Sequence, residues 1–350
     1  MAPATTWASS ASTQIGPVAE ATEWRLMKAI VQERFGPPEI LRVADIDVPE
    51  IGADDVLIRV QAAALNPYDW HMLRGDPRVA RLLGVGLTKP KDRLVGVDGA
   101  GRVEAVGANV TALRPGDEVL GFCQGAFAEY ARAKANKIVP KPSRLTFEQA
   151  AAIPMAALTA LQGLVDVAEV RAGQQVLING AAGGIGTYAV QIAVALGAEV
   201  TGVCSTRNVE LVRSVGADHV VDYTTDDFTD GSSHYDVILD NVGNRPLARV
   251  RKALTPTGTL VVNGGGSPGR VVGAVGSMAK AAIVDRFVHH RIRLLSAKAN
   301  QQDLLTLTGL VEDGKLTPVL DQTYAFADVA AALRHVESGH ARGKVILAIA

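Results

Sequence analysis

Cysteine is scarce: the 350 residues hold two, Cys123 and Cys204. Both sit in apolar runs, far apart, so no disulfide framework can be built. A reducing compartment follows, and the cytoplasm is the expected location. Net charge is nearly absent, with 35 Lys and Arg against 36 Asp and Glu. That excludes the basic footprint of a nucleic-acid binder. No apolar run is long enough to span a membrane. The chain lacks Gly-x-Ser-x-Gly, the strand-to-helix elbow of the serine hydrolases. Residues 1–26 lack the basic start and apolar centre of a secretory signal, and their single Arg is too few for a mitochondrial leader. Rich in Ala, Ser and Thr, they are expected to be a disordered extension before Met27.

What is present is a glycine cluster between an apolar run and a helical pattern, Val176-Leu-Ile-Asn-Gly-Ala-Ala-Gly-Gly-Ile-Gly186. This is the strand–turn–helix context of a dinucleotide-phosphate site. Gly180 permits the tight turn. Gly183 and Gly184 let backbone approach a pyrophosphate, and Gly186 lets the helix pack on the strand. The helix start offers free N–H groups and a positive dipole end to the anion. After Ile185, the residues Ala189, Ile192, Ala193 and Leu196 share one helical face. Further apolar strands are expected at 199–204, 219–223, 235–241 and 258–264, with helical stretches at 208–215 and 245–254. Such alternation predicts an α/β architecture with a doubly wound parallel Rossmann sheet.

The end of the second strand selects the dinucleotide. An NAD site places Asp or Glu there for the ribose 2′-hydroxyl. This chain reads Cys204-Ser205-Thr206-Arg207-Asn208, with no carboxylate. Ser205 and Arg207 suit a 2′-phosphate, and Tyr223 ends the third strand within reach of the same group. The expected cofactor is NADP(H).

From Met27 to Ala150 the pattern is short strands with Gly and Pro punctuation: 56–64, 94–106, 118–121 and 126–131. A small β-barrel is expected. After a sixth cofactor-domain strand at 291–297 come helices at 303–311 and 328–336. A last strand at 344–349 is expected to return to the barrel.

Several words together resemble one family: Leu65-Asn-Pro-Tyr-Asp69, Arg114-Pro-Gly-Asp117, Gly125-Ala-Phe-Ala-Glu-Tyr130, Ala157-Leu-Thr-Ala160, the glycine cluster, Asp240-Asn-Val-Gly243 and Gly339-His-Ala-Arg-Gly-Lys344. From Met27 to Ala350 the chain resembles the zinc-independent medium-chain dehydrogenases/reductases of the quinone-oxidoreductase type. The branch it resembles is that of the reticulon-interacting mitochondrial oxidoreductase and its bacterial relatives. The resemblance implies a GroES-like, partly open β-barrel catalytic domain from 27–150 and 300–350, around a cofactor domain at 151–299. It implies that Ala182 to Ile185 line the pyrophosphate, that Ser205 and Tyr223 hold the adenosine end, and that Asn241 and Val242 lie along the ribose. His340, Ala341 and Arg342 would close over the cofactor, Thr159 would touch the nicotinamide side, and Gly264 would border the site. The segment 264–288 would wall the substrate pocket.

Zinc enzymes of that superfamily place Cys where this chain has Asn66 and His where it has Val97, and they carry a four-cysteine lobe missing here. No metal is expected; His71 and His289-His290 lack partners at ligand spacing. Without a Lewis acid, simple alcohol oxidation is disfavoured. Hydride addition to an electron-poor acceptor is favoured: a quinone, or an alkene conjugated to a carbonyl. Asn66 would orient cofactor or substrate, and Tyr68 would donate a hydrogen bond or proton. Asp69 reads as a helix-start residue accepting backbone N–H groups. Two alternatives stay open: a zinc-free carbonyl or alcohol dehydrogenase, and an NADPH-binding protein that acts by interaction. A homodimer is expected, through the edge strand at 291–297.

Overall fold

The computed structural model describes residues 26–76, 86–263 and 290–349. The expectations for residues 1–25, for Gly264 and for the rest of 264–288 lie outside the described residues.

The first half is built from strands β1 (Met27–Val31), β2 (Arg42–Ile46), β3 (Asp55–Leu65), β4 (Asp98–Val106), β5 (Glu118–Phe122), β6 (Tyr130–Lys134) and β7 (Ile138–Pro140). Helix α1 (Pro67–Arg74) follows β3. The short α2 (Phe147–Ala151) and α3 (Pro154–Gln162) lead into the second sheet. That sheet holds β8 (Gln175–Asn179), β9 (Glu199–Cys204), β10 (His219–Asp222), β11 (Tyr235–Asp240), β12 (Leu254–Val262) and β13 (Arg291–Leu294). Between them lie α4 (Gly184–Ala195), α5 (Val209–Ser214) and α6 (Leu247–Lys252). The chain closes with α7 (Gln301–Glu312), β14 (Leu320–Ala325), α8 (Val329–Glu337) and β15 (Lys344–Ala348).

The second sheet is parallel, ordered β10-β9-β8-β11-β12-β13. Its order reverses beside β8, and ligands of such sheets bind at the carboxyl ends of the strands at that point. β8 is buried at Val176, Leu177 and Ile178, as a strand covered on both faces must be. α4 departs from the expected one-faced pattern: it is buried from Gly186 to Ala193. The sheet covers one side and α3 the other. Its polar Gln191 is satisfied by the chain beyond α7: Nε2 donates to the Thr317 carbonyl at 3.0 Å, and Oε1 accepts from the Thr317 N–H at 2.8 Å.

The first sheet is ordered β14-β15-β3-β4-β5-β7, with β6 also on β3. The last strand does return: β15 pairs antiparallel with β3, Val345 opposite Leu65. Two expected strands shift. The strand foreseen from Leu94 begins at Asp98, because Gly96 turns the chain at φ +89°. The strand foreseen at 126–131 starts at Tyr130. Residues before it are spent on an irregular crossing, in which Ala126 N donates to the Gly96 carbonyl at 3.0 Å and Ile30 N to the Phe127 carbonyl at 2.8 Å. The fully buried Phe127 ring fixes that path. Strands β2 and β7 had not been foreseen.

Candidate active site

The first candidates belong to the start of α1. Pro67 occupies the first helical position, where no N–H is needed, and Gly75 ends the helix in the left-handed region at φ 60°. Asn66 is the N-cap, and Asp69 Oδ2 accepts its backbone N–H at 2.7 Å. Asp69 therefore does what its position suggested.

Asn66 itself is buried, and its amide is engaged inward. Nδ2 donates to Asp98 Oδ2 at 3.0 Å. Oδ1 accepts from Lys344 Nζ. An ammonium only donates and a carboxylate only accepts, so these partners dictate which way the amide points. Both ends of the Asn66 amide are engaged by these side chains. Tyr68, one residue on, is 44% exposed. Burial of its ring, then the charges of Asp69 and Asp92, push its phenol above the usual range, so it remains a donor at neutral pH.

Lys344 was not singled out from sequence, nor was Asp98. Both are buried. Lys344 Nζ donates to the Leu65 carbonyl at 3.1 Å and lies 3.7 Å from Asp98 Oδ2. That oxygen also accepts the Met155 N–H, in the first turn of α3, at 3.2 Å. Burial pushes Asp98 up and Lys344 down, and each group's charge opposes the other's shift. The signal was available: a lone Asp in Gly96-Val-Asp-Gly99 and a lone Lys before Val345-Ile-Leu347 are charges inside apolar runs, which need partners.

The glycine loop sits at the end of β8. Gly180 takes φ +79°. Gly183 is the N-cap of α4, with no side chain capping the first turn. Gly183 also forms a parallel bridge with Gly343, whose N–H bonds to the Ala182 carbonyl at 2.9 Å. The segment ending in Lys344 is thus tied to the loop by backbone. A Cβ on Gly184 would lie 3.1 Å from Lys344 Cδ. Gly184 makes room for the lysine stem, whereas the sequence had suggested only a pyrophosphate. A Cβ on Gly183 would meet nothing nearer than 3.4 Å, so one side of the loop is open. An open loop at an uncapped helix start fits a pyrophosphate. Ile185, in the first turn, is half-buried.

The remaining candidates ring the same end of the sheet. Thr159 is buried in α3, its hydroxyl donating to the Met155 carbonyl at 2.7 Å. Asn241 Nδ2 donates to the Asn179 carbonyl at 3.2 Å, and its Oδ1 accepts from Asn263 at 2.9 Å. Val242 lies over Gly180, whose Cβ would come within 2.8 Å of it. Ser205 is half-buried and accepts from Asn208 at 3.2 Å. Tyr223 is 45% exposed. Arg207 and His340 are exposed, and the Arg207 guanidinium donates to the His340 carbonyl at 3.0 Å. Ala341 is half-buried; Arg342 is exposed, its N–H on Asp321 at 2.9 Å. One further residue lies at this end of β9 and β10. Asp222 pairs with Cys204 across β9 and β10, and it was not foreseen there. Its Oδ1 is engaged by the Thr224 hydroxyl at 2.7 Å and N–H at 3.0 Å.

Among the described residues, no group of three His, Cys, Asp or Glu could hold a metal ion. No helix there is long and apolar enough to cross a membrane.

Two sequence families match this chain. The alcohol dehydrogenase GroES-like domain covers residues 52–143, and the zinc-binding dehydrogenase family covers 215–347. The chain is 34% identical to an NADPH-dependent alkenal/one oxidoreductase of Arabidopsis thaliana, over 97% of this chain and 83% of that one. It is 34% identical to the mitochondrial NAD(P)H oxidoreductase RTN4IP1 of Bos taurus, over 92% and 89%. The structure of a quinone oxidoreductase from Coxiella burnetii superposes with a TM-score of 0.80 at 32% identity, over 93% of this chain and 100% of that one. The chain belongs to the medium-chain dehydrogenase/reductase family. Within it, it falls among the quinone-oxidoreductase-type members.

Proposed function

We propose that the protein is an NADPH-dependent reductase that delivers hydride to a quinone or to an alkene conjugated to a carbonyl, without zinc. The observation that carries this reading is the ammonium of Lys344 on Asn66 Oδ1. Where zinc relatives would hold a dication on Cys and His, this chain has a buried cation, an amide and the apolar Val97, and the one carboxylate there, Asp98, is already engaged by Lys344, Asn66 and the Met155 N–H. Such a donor set repels a metal. An acceptor reduced there must be electron-poor already.

NADPH, when bound, supplies the hydride. The chain's own residues bind and orient. The open side of the glycine loop takes the pyrophosphate, with Ala182 to Gly186 around it. Ser205, Arg207 and Tyr223 take the adenosine end. To reach a 2′-phosphate, Arg207 exchanges its bond to the His340 carbonyl for a charge-assisted one. Asn241 and Val242 line the ribose, and Thr159 and the His340–Arg342 segment border the cleft. Tyr68, exposed and protonated, donates to the oxygen that gains charge as hydride arrives. The boundaries proposed are 27–150 with 300–350 for the catalytic domain and 151–299 for the cofactor domain. With Cys123 and Cys204 both free and buried, we place the protein in a reducing compartment, the cytoplasm.

A panel of acceptors tests the reading. Quinones and enones should be reduced, simple aldehydes should not, and chelators should leave turnover intact. NADPH should bind at least tenfold tighter than NADH, on the order of 1.4 kcal/mol. Arg207→Ala should erase much of that gap. Turnover of aldehydes alone would replace this reading with a carbonyl dehydrogenase. NADPH binding with no acceptor at all would leave a non-catalytic binding protein.

We also propose a homodimer formed along β13, the outer strand of its sheet among the described residues. Leu295 N donates inward to the Val262 carbonyl at 2.9 Å. Backbone groups alternate sides along a parallel strand, so the Leu294 N–H points outward. Leu294 is 38% exposed. Leu294→Pro removes that outward donor and spares the inner ladder. Light scattering should give a dimer mass for the unmutated protein and a monomer mass for the variant. A monomer at every concentration before mutation would end the idea.

A further inference from the structure

We propose that Lys344 is a positioning residue for hydride transfer. Its stem rests on the glycine loop and its ammonium holds Asn66. Together they fix the spacing between the loop and α1, the helix that presents Tyr68. The inference rests on the reductase reading above and adds a residue to it.

Three observations carry it. First, the chain just before Lys344 is fastened to the loop by backbone, through the Gly343–Gly183 bridge and the bond from Gly343 N to Ala182. Second, its stem lies across Gly184, where even a methyl would meet Cδ at 3.1 Å. A stem pinned at both ends cannot swing aside. Third, Nζ ends on the Leu65 carbonyl and Asn66 Oδ1, the two residues that lead into α1. The side chain is therefore a strut from the cofactor loop to the helix start.

A buried ammonium is a costly way to fill space. An apolar side chain of similar length would pack as well without desolvating a charge. What the charge adds is direction, since an ammonium can only donate and so draws the Asn66 amide oxygen toward it. Asp98 balances it from β4 and also takes the Met155 N–H, so the strut is braced against α3 as well. Hydride transfer needs reacting atoms about 3–3.5 Å apart, and a misplacement of about 1 Å can cost roughly 100-fold. A strut between loop and helix acts on that distance.

The test compares Lys344→Met, Asn66→Ala, their combination, and Lys344→Met with Asp98→Asn. The last variant removes both buried charges and keeps the experiment alive if the single charge deletion fails to fold. Three quantities are read: kcat with a quinone, the NADPH dissociation constant by fluorescence, and hydrogen exchange across residues 66–74. Lys344→Met should lower kcat roughly 100-fold. The NADPH constant should stay within about threefold, since Lys344 acts on placement. The Lys344 and Asn66 effects should not multiply, because one acts through the other. Exchange in 66–74 should rise although the mutation lies far away in sequence. Loss of melting temperature with kcat unchanged would overturn the proposal, and so would NADPH weakening as much as kcat falls. If the unmutated protein reduces no acceptor, the reductase reading fails; hydrogen exchange in α1 still decides whether Lys344 holds that helix.

Discussion

Replacing Asp69 by Asn should stabilise the protein at pH 8 and leave it nearly unchanged at pH 4. Burial pushes the Asp69 carboxyl up to about 7, with the Asn66 N–H pulling down and the Asp98 charge pushing further up. In the unfolded chain the group titrates near 3.8. Between these values the native state keeps a proton that the unfolded chain has lost. Stability therefore falls as pH rises through that window, and the loss is complete above about pH 7. A shift of about three units corresponds to on the order of 4 kcal/mol. Asn lacks the charge and keeps an oxygen for the Asn66 N–H, so it avoids the loss. Carboxylates such as Asp55, drawn down first by its hydrogen bond to Lys134, act in the opposite sense. Their stabilisation is present at neutral pH and disappears as pH falls through their native values, below the Asp69 window. Urea unfolding of both proteins at pH 4, 6 and 8 isolates the Asp69 contribution as a difference. A difference that stays flat with pH would show that Asp69 titrates normally in the folded protein.

The buried pair beside Asp69 marks the limit of what the sequence made legible. Period and punctuation were enough for the parallel sheet, because β8, β9 and β11 are apolar runs closed by turns, and the glycine cluster stood between strand and helix. They were enough for the return of β15, an apolar strand at the chain end that had to find a partner sheet. The barrel's irregular strands were harder. Phe127 is buried through a bend that no alternation announces, and β2 reads too polar to stand out, with two of its five residues charged and one face in solvent. At the site, the residues that carry glycine or turn chemistry were found by type. Those whose role is a contact across the chain were not. Asn66 reads as a residue that orients cofactor or substrate, and sequence does not show that Lys344, 278 positions away, bonds to its oxygen. Asp222 escaped notice because only the β9–β10 register brings it beside Cys204. Gly184 was assigned to the pyrophosphate, and the side chain lying across it belongs to the last strand.

Two glycines of the same loop should respond to alanine in opposite ways. In Gly186→Ala the new Cβ would lie 2.1 Å from the Gly180 carbonyl oxygen and 2.7 Å from backbone atoms of Ala181. Backbone on both sides leaves nothing that can rotate away. The turn must open or α4 must lift from β8, and α4 is buried through most of its length. A loss of about 3 kcal/mol or more is expected, at the upper end for overpacking. In Gly183→Ala the nearest atom is the Gly180 oxygen at 3.4 Å, an ordinary contact. The backbone at Gly183, φ −81° and ψ 177°, suits any residue. That variant should fold and melt like the unmutated protein. Its methyl group then projects into the open side of the loop, where the pyrophosphate needs backbone contact. NADPH binding should weaken at least tenfold, on the order of 1.4 kcal/mol. Thermal melting of both variants, with and without NADPH, separates the two effects. Gly186→Ala should melt low in either condition, whereas Gly183→Ala should melt normally and lose the upward shift that NADPH gives the unmutated protein. An unchanged NADPH constant in Gly183→Ala would move the dinucleotide away from this loop, and with it the proposed reductase site.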